Sequence, residues 1–280
     1  MAIQFVGGKT VAKAATANAT ASIDLTTGLT GGSRSGVAAG DLVIIVSASS
    51  CIALMTMTIK DSSAVSYNLL TGNQGLGLMY VNDTTDACVL VGYKIMGTTP
   101  DSTATFTQSL GSGDGGFALV YVFSGVHGTT PMDVATTSTF ITGTGNVDPT
   151  AITPVTSGAV VVSLGAVGHV LGAVNHSIPD LTSTLVNSVN STRDCSAGIG
   201  YITWTSGALD PAAWTLTGSS TAMGYVAMSM ALRPAPGGGN IKVWNGSAWT
   251  AKPVKFWNGS AWITKPMKRW NGSAWITLPY

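Results

Sequence analysis

The sequence predicts an all-β protein: a jelly-roll-like β-sandwich body followed by a small C-terminal region of β-hairpin repeats. Three observations carry that expectation. There is no glutamate in 280 residues, and all 12 acids are aspartate. Glutamate favours helices, whereas aspartate favours turns and caps. Short runs rich in Val, Ile, Leu and Thr alternate with Gly/Pro/Asp clusters over residues 1–232, and none shows a capped 3.6-residue apolar stripe. Finally, the string WNGSAW occurs three times near the end, each copy built around Asn-Gly, the strongest short-range hairpin signal.

The strands follow in order along the chain. GDLVIIVS (Gly40–Ser47), ACVLVGYKI (Ala87–Ile95), GGFALVYVFSGV (Gly115–Val126), SGAVVVSLGAV (Ser157–Val167), GIGYITW (Gly198–Trp204) and MGYVAMSMAL (Met223–Leu232) are near-continuous apolar runs. Such runs suit strands buried on both faces or at a sandwich centre. In the last, Val226, Met228, Met230 and Leu232 fall on one face, with Tyr225, Ala227, Ser229 and Ala231 on the other. ASIDLTTG, STATFTQS and DLTSTLVNS alternate as half-exposed strands, and GTTPD, GSGDGG, GTTPMD, NVDP and SIPD mark turns. The uncharged stretch Leu42–Ile59 reads as two strands joined at Ser49–Ser50 rather than as a membrane span. RPAPGGGN (233–240) reads as a linker between a body at 1–232 and repeats at 241–280.

Each repeat reads as a strand, an Asn-Gly turn (Asn245-Gly246, Asn258-Gly259, Asn271-Gly272), a strand and a proline turn. A type I′ turn needs φ > 0 at both central positions, which Asn-Gly supplies. Two registers are open. If Asn-Gly alone forms the loop, Trp244 pairs with Ser247; if NGSA forms it, Trp244 faces Trp249. Either one puts both tryptophans of a repeat on one face: Trp244 with Trp249, Trp257 with Trp262, Trp270 with Trp275. Such faces serve either as packing surfaces, against each other, the body or further copies, or as glycan-stacking platforms. Packing is the expectation carried forward, because six indoles are a large apolar area to leave in water.

Charge divides the chain. Of 13 basic residues, six (Lys242, Lys252, Lys255, Lys265, Lys268, Arg269) lie in 240–280, which has no acid. Residues 1–239 therefore hold seven basic against 12 acidic residues, net −5. The basic residues of the tail are spread one or two per repeat, not clustered as a nucleic-acid patch would be. Cys51, Cys88 and Cys195 form no CxxC and read as buried small side chains in a reduced protein. MAIQFVGGK has no basic-then-apolar leader, so no signal peptide is expected.

Catalytic signatures are missing from the sequence. His127, His169 and His176 belong to no HExxH, HxH or Cys-His pattern, there is no GxSxG, and the glycines form neither a Walker A loop nor a strand–GxGxxG–helix unit. Asp101, Asp133, Asp148, Asp180 and Asp210 each lie within two residues of a proline, which is turn chemistry. The expectation is no enzyme, no cofactor and no metal.

The tandem K-x-WNGSAW-x-x-KP units resemble those ending many tail-associated proteins of tailed bacteriophages. AAGDLVIIV, GFALVYVFSGVHGTTPMDV and SGAVVVSLGAV are similar to the β-sandwich region of phage minor tail and fibre proteins. The resemblance covers the repeats and, more loosely, the body. It implies a non-enzymatic structural protein of the virion, tail or fibre associated, made in the host cytoplasm. It also implies self-assembly, a homotrimer being favoured, contacts with other virion proteins, and host-surface attachment as a further role. It carries over no catalytic residue. The alternatives are a host-glycan-binding adhesin using the tryptophan repeats or sandwich loops, a tail-associated polysaccharide hydrolase, and a capsid decoration protein. No nucleic-acid partner and no membrane insertion are expected.

Overall fold

The computed structural model describes the chain except residues 1, 15–19, 52–54, 71–77, 81–85, 110–115, 143–145, 171–174, 190–193, 218–220, 237–239, 266–267, 271–274 and 278–280. The described residues are all-β, as composition predicts, and no helix among them is long and apolar enough to cross a membrane. The first half of the body runs β1 (Gln4–Lys13), β2 (Thr20–Asp24), β3 (Leu42–Cys51), β4 (Met57–Asp61), β5 (Asn68–Leu69), β6 (Leu78–Tyr80), β7 (Asp86–Ile95), β8 (Thr103–Gln108) and β9 (Gly116–Ser124). The second half runs β10 (Thr137–Ile141), β11 (Val160–Val170), β12 (Asn175–Ser177), β13 (Thr182–Val189), β14 (Asp194–Thr203), β15 (Thr215–Thr217) and β16 (Thr221–Leu232).

Each half builds one large antiparallel sheet. The orders are β1-β9-β3-β7-β5, with β6 also on β7, and β10-β16-β11-β14-β13. These are similar arrangements: the first strand of the half, its last strand, then the early long strand β3 or β11, and two from the stretch between. The registers match as well. Leu42 lies between Ile95 and Phe123, and Val160 between Thr203 and Leu232. Tyr93 and Tyr201 consequently hold equivalent places, opposite Ile44 and Val162. The smaller strands repeat too: β4 pairs with β8 in the first half, and β12 with β15 in the second. The body is thus two similarly built sandwiches rather than one, lying back to back through their large sheets.

Three cores follow from this layering. Between the large sheets, Leu42, Ile44 and Val46 of β3 and Leu119, Tyr121 and Phe123 of β9 meet Val162 and Leu164 of β11 and Met228 and Met230 of β16. The other face of the first sheet packs Val43, Ile45, Val120 and Val122 against Ile23, Ile59 and Phe106 of the β2-β8-β4 sheet. The outer face of the second sheet packs Val167, Tyr225 and Ala227 against Val147 and Trp214, with Val161 and Ala231 against Ile152. Both central sheets are buried on two faces, which accounts for the near-continuous apolar runs. The two faces read for Met223–Leu232 hold: Val226, Met228, Met230 and Leu232 enter the central core, while Ser229 hydrogen-bonds Ser163 at 3.1 Å.

Three expectations change. The stretch after Leu42 does not turn at Ser49–Ser50; β3 continues to Cys51, because Ser49 pairs with both Cys88 and Gly116. The hydroxyl of Ser47 is satisfied inside by the Gln108 amide at 2.9 Å. Cys88 is disulfide-bonded, whereas Cys195 is buried with its Sγ 3.8 Å from the Ser196 carbonyl. Wide spacing of the cysteines in sequence gave no sign of it. Lastly, the body holds the start of the linker. Arg233 N–H donates to the Pro131 carbonyl (2.8 Å), His127 N–H to the Arg233 carbonyl (2.8 Å) and Ala235 N–H to the Gly125 carbonyl (2.7 Å). Residues 237–239 lie outside the described residues.

Candidate functional site at the tryptophan hairpins

The tail forms β17 (Asn240–Trp244) with β18 (Trp249–Pro253), β19 (Lys255–Trp257) with β20 (Trp262–Thr264), and β21 (Lys268–Trp270) with β22 (Trp275–Thr277), each pair a separate two-stranded antiparallel sheet. NGSA makes the connection, and the register sets Trp244 opposite Trp249, Trp257 opposite Trp262 and Trp270 opposite Trp275.

The loop chemistry is local. Asn245 N–H donates to the Ala248 carbonyl at 3.0 Å. Its side-chain Oδ1 accepts from the Ser247 amide (3.0 Å), the Ser247 hydroxyl (3.1 Å) and the Ala248 amide (2.8 Å). Asn258 repeats the set with Ser260 and Ala261, at 2.9, 3.1 and 2.8 Å. Gly246 and Gly259 sit at φ of +102° and +103°, where a side chain would strain the backbone, while neither asparagine has a positive φ. The turn is therefore not the type I′ expected. The asparagine side chain takes the acceptor place that a backbone carbonyl would fill in a tighter turn. Asn271 and Gly272 lie outside the described residues, as do the proline turns at Pro266 and Pro279.

The Asn245–Ala248 bond makes the next pair, Trp244–Trp249, a non-hydrogen-bonded one, where facing side chains come closest. The indoles meet at 5.8 Å between centroids with planes tilted by 59°; Trp257 and Trp262 meet at 5.8 Å and 58°. Each pair makes a shallow V open to solvent. Trp244 and Trp249 are 53% and 65% exposed, and Trp257 and Trp262 51% and 64%. No neighbouring hairpin or body strand covers these four indoles. The expected packing face is, in the single chain, a display face. The hairpins close through their own turn bonds and cross-strand indole contact, the latter worth about 0.5–1.5 kcal/mol beyond area burial.

The alternation of a strand also fixes what flanks the V. Lys255 and Thr264 share the face of Trp257 and Trp262, while Phe256 and Ile263 lie on the other. Lys265 Nζ sits 4.3 Å from the centre of the Phe256 ring. In backbone register, Lys242 stands opposite Ala251 and Lys268 opposite Thr277.

A lone two-stranded hairpin is marginal in water. Trp257→Ala is therefore expected to open the middle hairpin alone. Amide exchange should accelerate over residues 255–265, leaving 240–253 and the body unchanged; melting of the whole tail would show that the three faces pack together.

The body offers little chemistry by comparison. His127 Nδ1 is ringed by the Thr130 amide (3.2 Å) and hydroxyl (3.1 Å) and the Thr129 amide (3.3 Å), which makes it a turn brace. His176 is buried edge-on to Trp214, with ring centroids 5.5 Å apart. His169 is placed only by its backbone, opposite Asp194. Among the described residues, no three His, Cys or Asp side chains gather to hold a metal ion. A depression near the linker, lined by Gln4, Arg34, Asp41 and Val126, has its charges paired, Arg34 to Asp41 at 2.8 Å. The tail is thus the candidate site. Sequence reasoning missed the lysine that shares each tryptophan face. The strict Lys-x-Trp spacing in all three repeats was the signal that could have found it. Comparison of the chain with protein-family models, curated proteins and solved structures finds no match.

Proposed function

We propose that the chain is a non-enzymatic structural component of a tailed-phage virion, tail or fibre associated, whose terminal hairpins attach the particle to the host surface. The observation that carries this reading is the pairing of self-closed hairpins with uncovered indole faces. A body already buried on both sides of its large sheets has no need of those indoles for its own stability. The resemblance of the WNGSAW units to the ends of tail-associated proteins supplies the virion. Self-association, with a trimer favoured, is supported by the edge strand β10, which exposes Phe140 (49%) and Ile141 (42%).

Two measurements test the proposal together. Antibody against the chain should label virions at the tail by electron microscopy, and the purified protein should cosediment with host envelopes. Trp262→Ala should weaken cosedimentation and leave the melting of the body unchanged. Unlabelled virions, or undiminished cosedimentation of the variant, would overturn it.

A further inference from the structure

Resting on the attachment reading, we propose that the tryptophan faces bind an acidic polysaccharide, one indole pair and one lysine to each sugar-acid unit. In the middle repeat, Trp257, Trp262, Lys255 and Thr264 share a face, with Lys255 exposed. Two indoles tilted by 58° provide flat π surfaces on which the C–H face of a pyranose ring stacks. Lys255 supplies a cation beside them, and Thr264 a hydroxyl. The second cation of the repeat, Lys265, is engaged over Phe256 on the opposite face, so the Trp257–Trp262 face has a single ammonium.

Charge selects the ligand. The tail has six basic residues and no acid, while residues 1–239 carry net −5. A carboxylate or phosphate on the sugar is drawn to the tail and repelled by the body, which orients the particle tail-first on an anionic surface. A neutral glycan would use the indoles and leave the lysine idle. Three repeats give three such faces in series, and a polymer engaging them together gains avidity from effective concentration. A bare polyanion such as polyphosphate would use the lysines, but it has no ring face to stack.

The test uses the full chain, with tryptophan emission titrated by hyaluronate (a uronic-acid polymer), dextran (neutral) and inorganic polyphosphate (charged, without sugar). Hyaluronate should bind about tenfold or more tighter than dextran. That advantage should vanish in the triple variant Lys242→Gln, Lys255→Gln, Lys268→Gln. It should also shrink when salt is raised from ~0.1 M to ~1 M, which cuts the screening length from ~10 Å to ~3 Å. An unchanged circular dichroism spectrum of the variant confirms that the hairpins still close. Equal binding of dextran and hyaluronate would overturn the acidic ligand while leaving attachment standing. Polyphosphate binding as tight as hyaluronate would do the same, the face then being a general anion site. Silence with all three polymers would overturn this inference; failure of envelope cosedimentation as well would remove attachment itself.

Discussion

Replacing Trp214 by alanine is expected to cost about 3–5 kcal/mol, the range for truncating a buried Trp or Phe. Trp214 is fully buried under the outer face of the second sheet, with Val147, Val167 and Tyr225. Its backbone N–H reaches the Val147 carbonyl at 2.8 Å, which clamps one covering segment to another. The ring lies on two glycines: a Cβ at Gly165 would stand 3.4 Å from Trp214 Cζ3, and one at Gly198 3.1 Å from it. The indole N–H has no hydrogen-bond partner in the interior, so Trp214→Phe removes a buried polar group along with some volume. It should cost clearly less than the alanine variant. Denaturant unfolding of both variants checks this; an alanine cost below about 1 kcal/mol would show that the covering layer contributes little to the second half.

Asp133→Ala is expected to destabilise by about 1.5–3 kcal/mol, because it leaves two backbone amides and a hydroxyl without the buried carboxylate they bond, and the part-exposed Arg233 without its counter-ion. Asp133 accepts from the Val155 amide (2.6 Å), the Thr156 amide (2.9 Å), the Thr156 hydroxyl and Arg233 Nε (3.3 Å). Arg233 Nη2 also donates to the Asp133 carbonyl at 3.0 Å. One carboxylate thus ties together the connection between the halves, the entry to β11 and the exit of β16. Burial raises its pKa, but the Thr156 hydroxyl and amide, the Val155 amide and Arg233 together outweigh it, and the carboxyl ends below its ordinary value. A depressed acid stabilises above its unfolded pKa of ~3.9, and that contribution is lost as pH falls through the lower native value. Asp133→Asn should therefore flatten the loss of stability between about pH 5 and pH 2. An unchanged acid limb would show that other carboxylates govern it.

Much of this was legible in the sequence, because β-strands write their burial into alternation. Residues 223–232 announced both faces of β16, and the runs at Gly40, Ala87, Gly115 and Ser157 announced sheets covered twice. The duplication was not legible. Gly92-Tyr93 and Gly200-Tyr201 stand at matching register positions, yet the residues around them differ, since any apolar side chain of fitting volume serves a sheet face. The covering of the second sheet was equally hidden. It is made of short bridges such as Ile152–Leu209 and the lone Trp214, without periodicity. At the candidate site, the tryptophan pairing was readable up to register. The choice between registers lay in the Asn245 and Asn258 side chains, whose bonds depend on loop geometry that spacing alone does not specify.

The self-closure of each WNGSAW unit has an evolutionary consequence. Among the described residues every hairpin pairs only with itself, and the turn bonds of the first two stay within the repeat. A duplication or deletion of 13 codons by slippage between the near-identical copies adds or removes one whole face and leaves every remaining strand pair in register. Copy number can then change while the body stays under constraint and, if the proposed attachment holds, the number of units rather than the make-up of each would set the strength of that attachment.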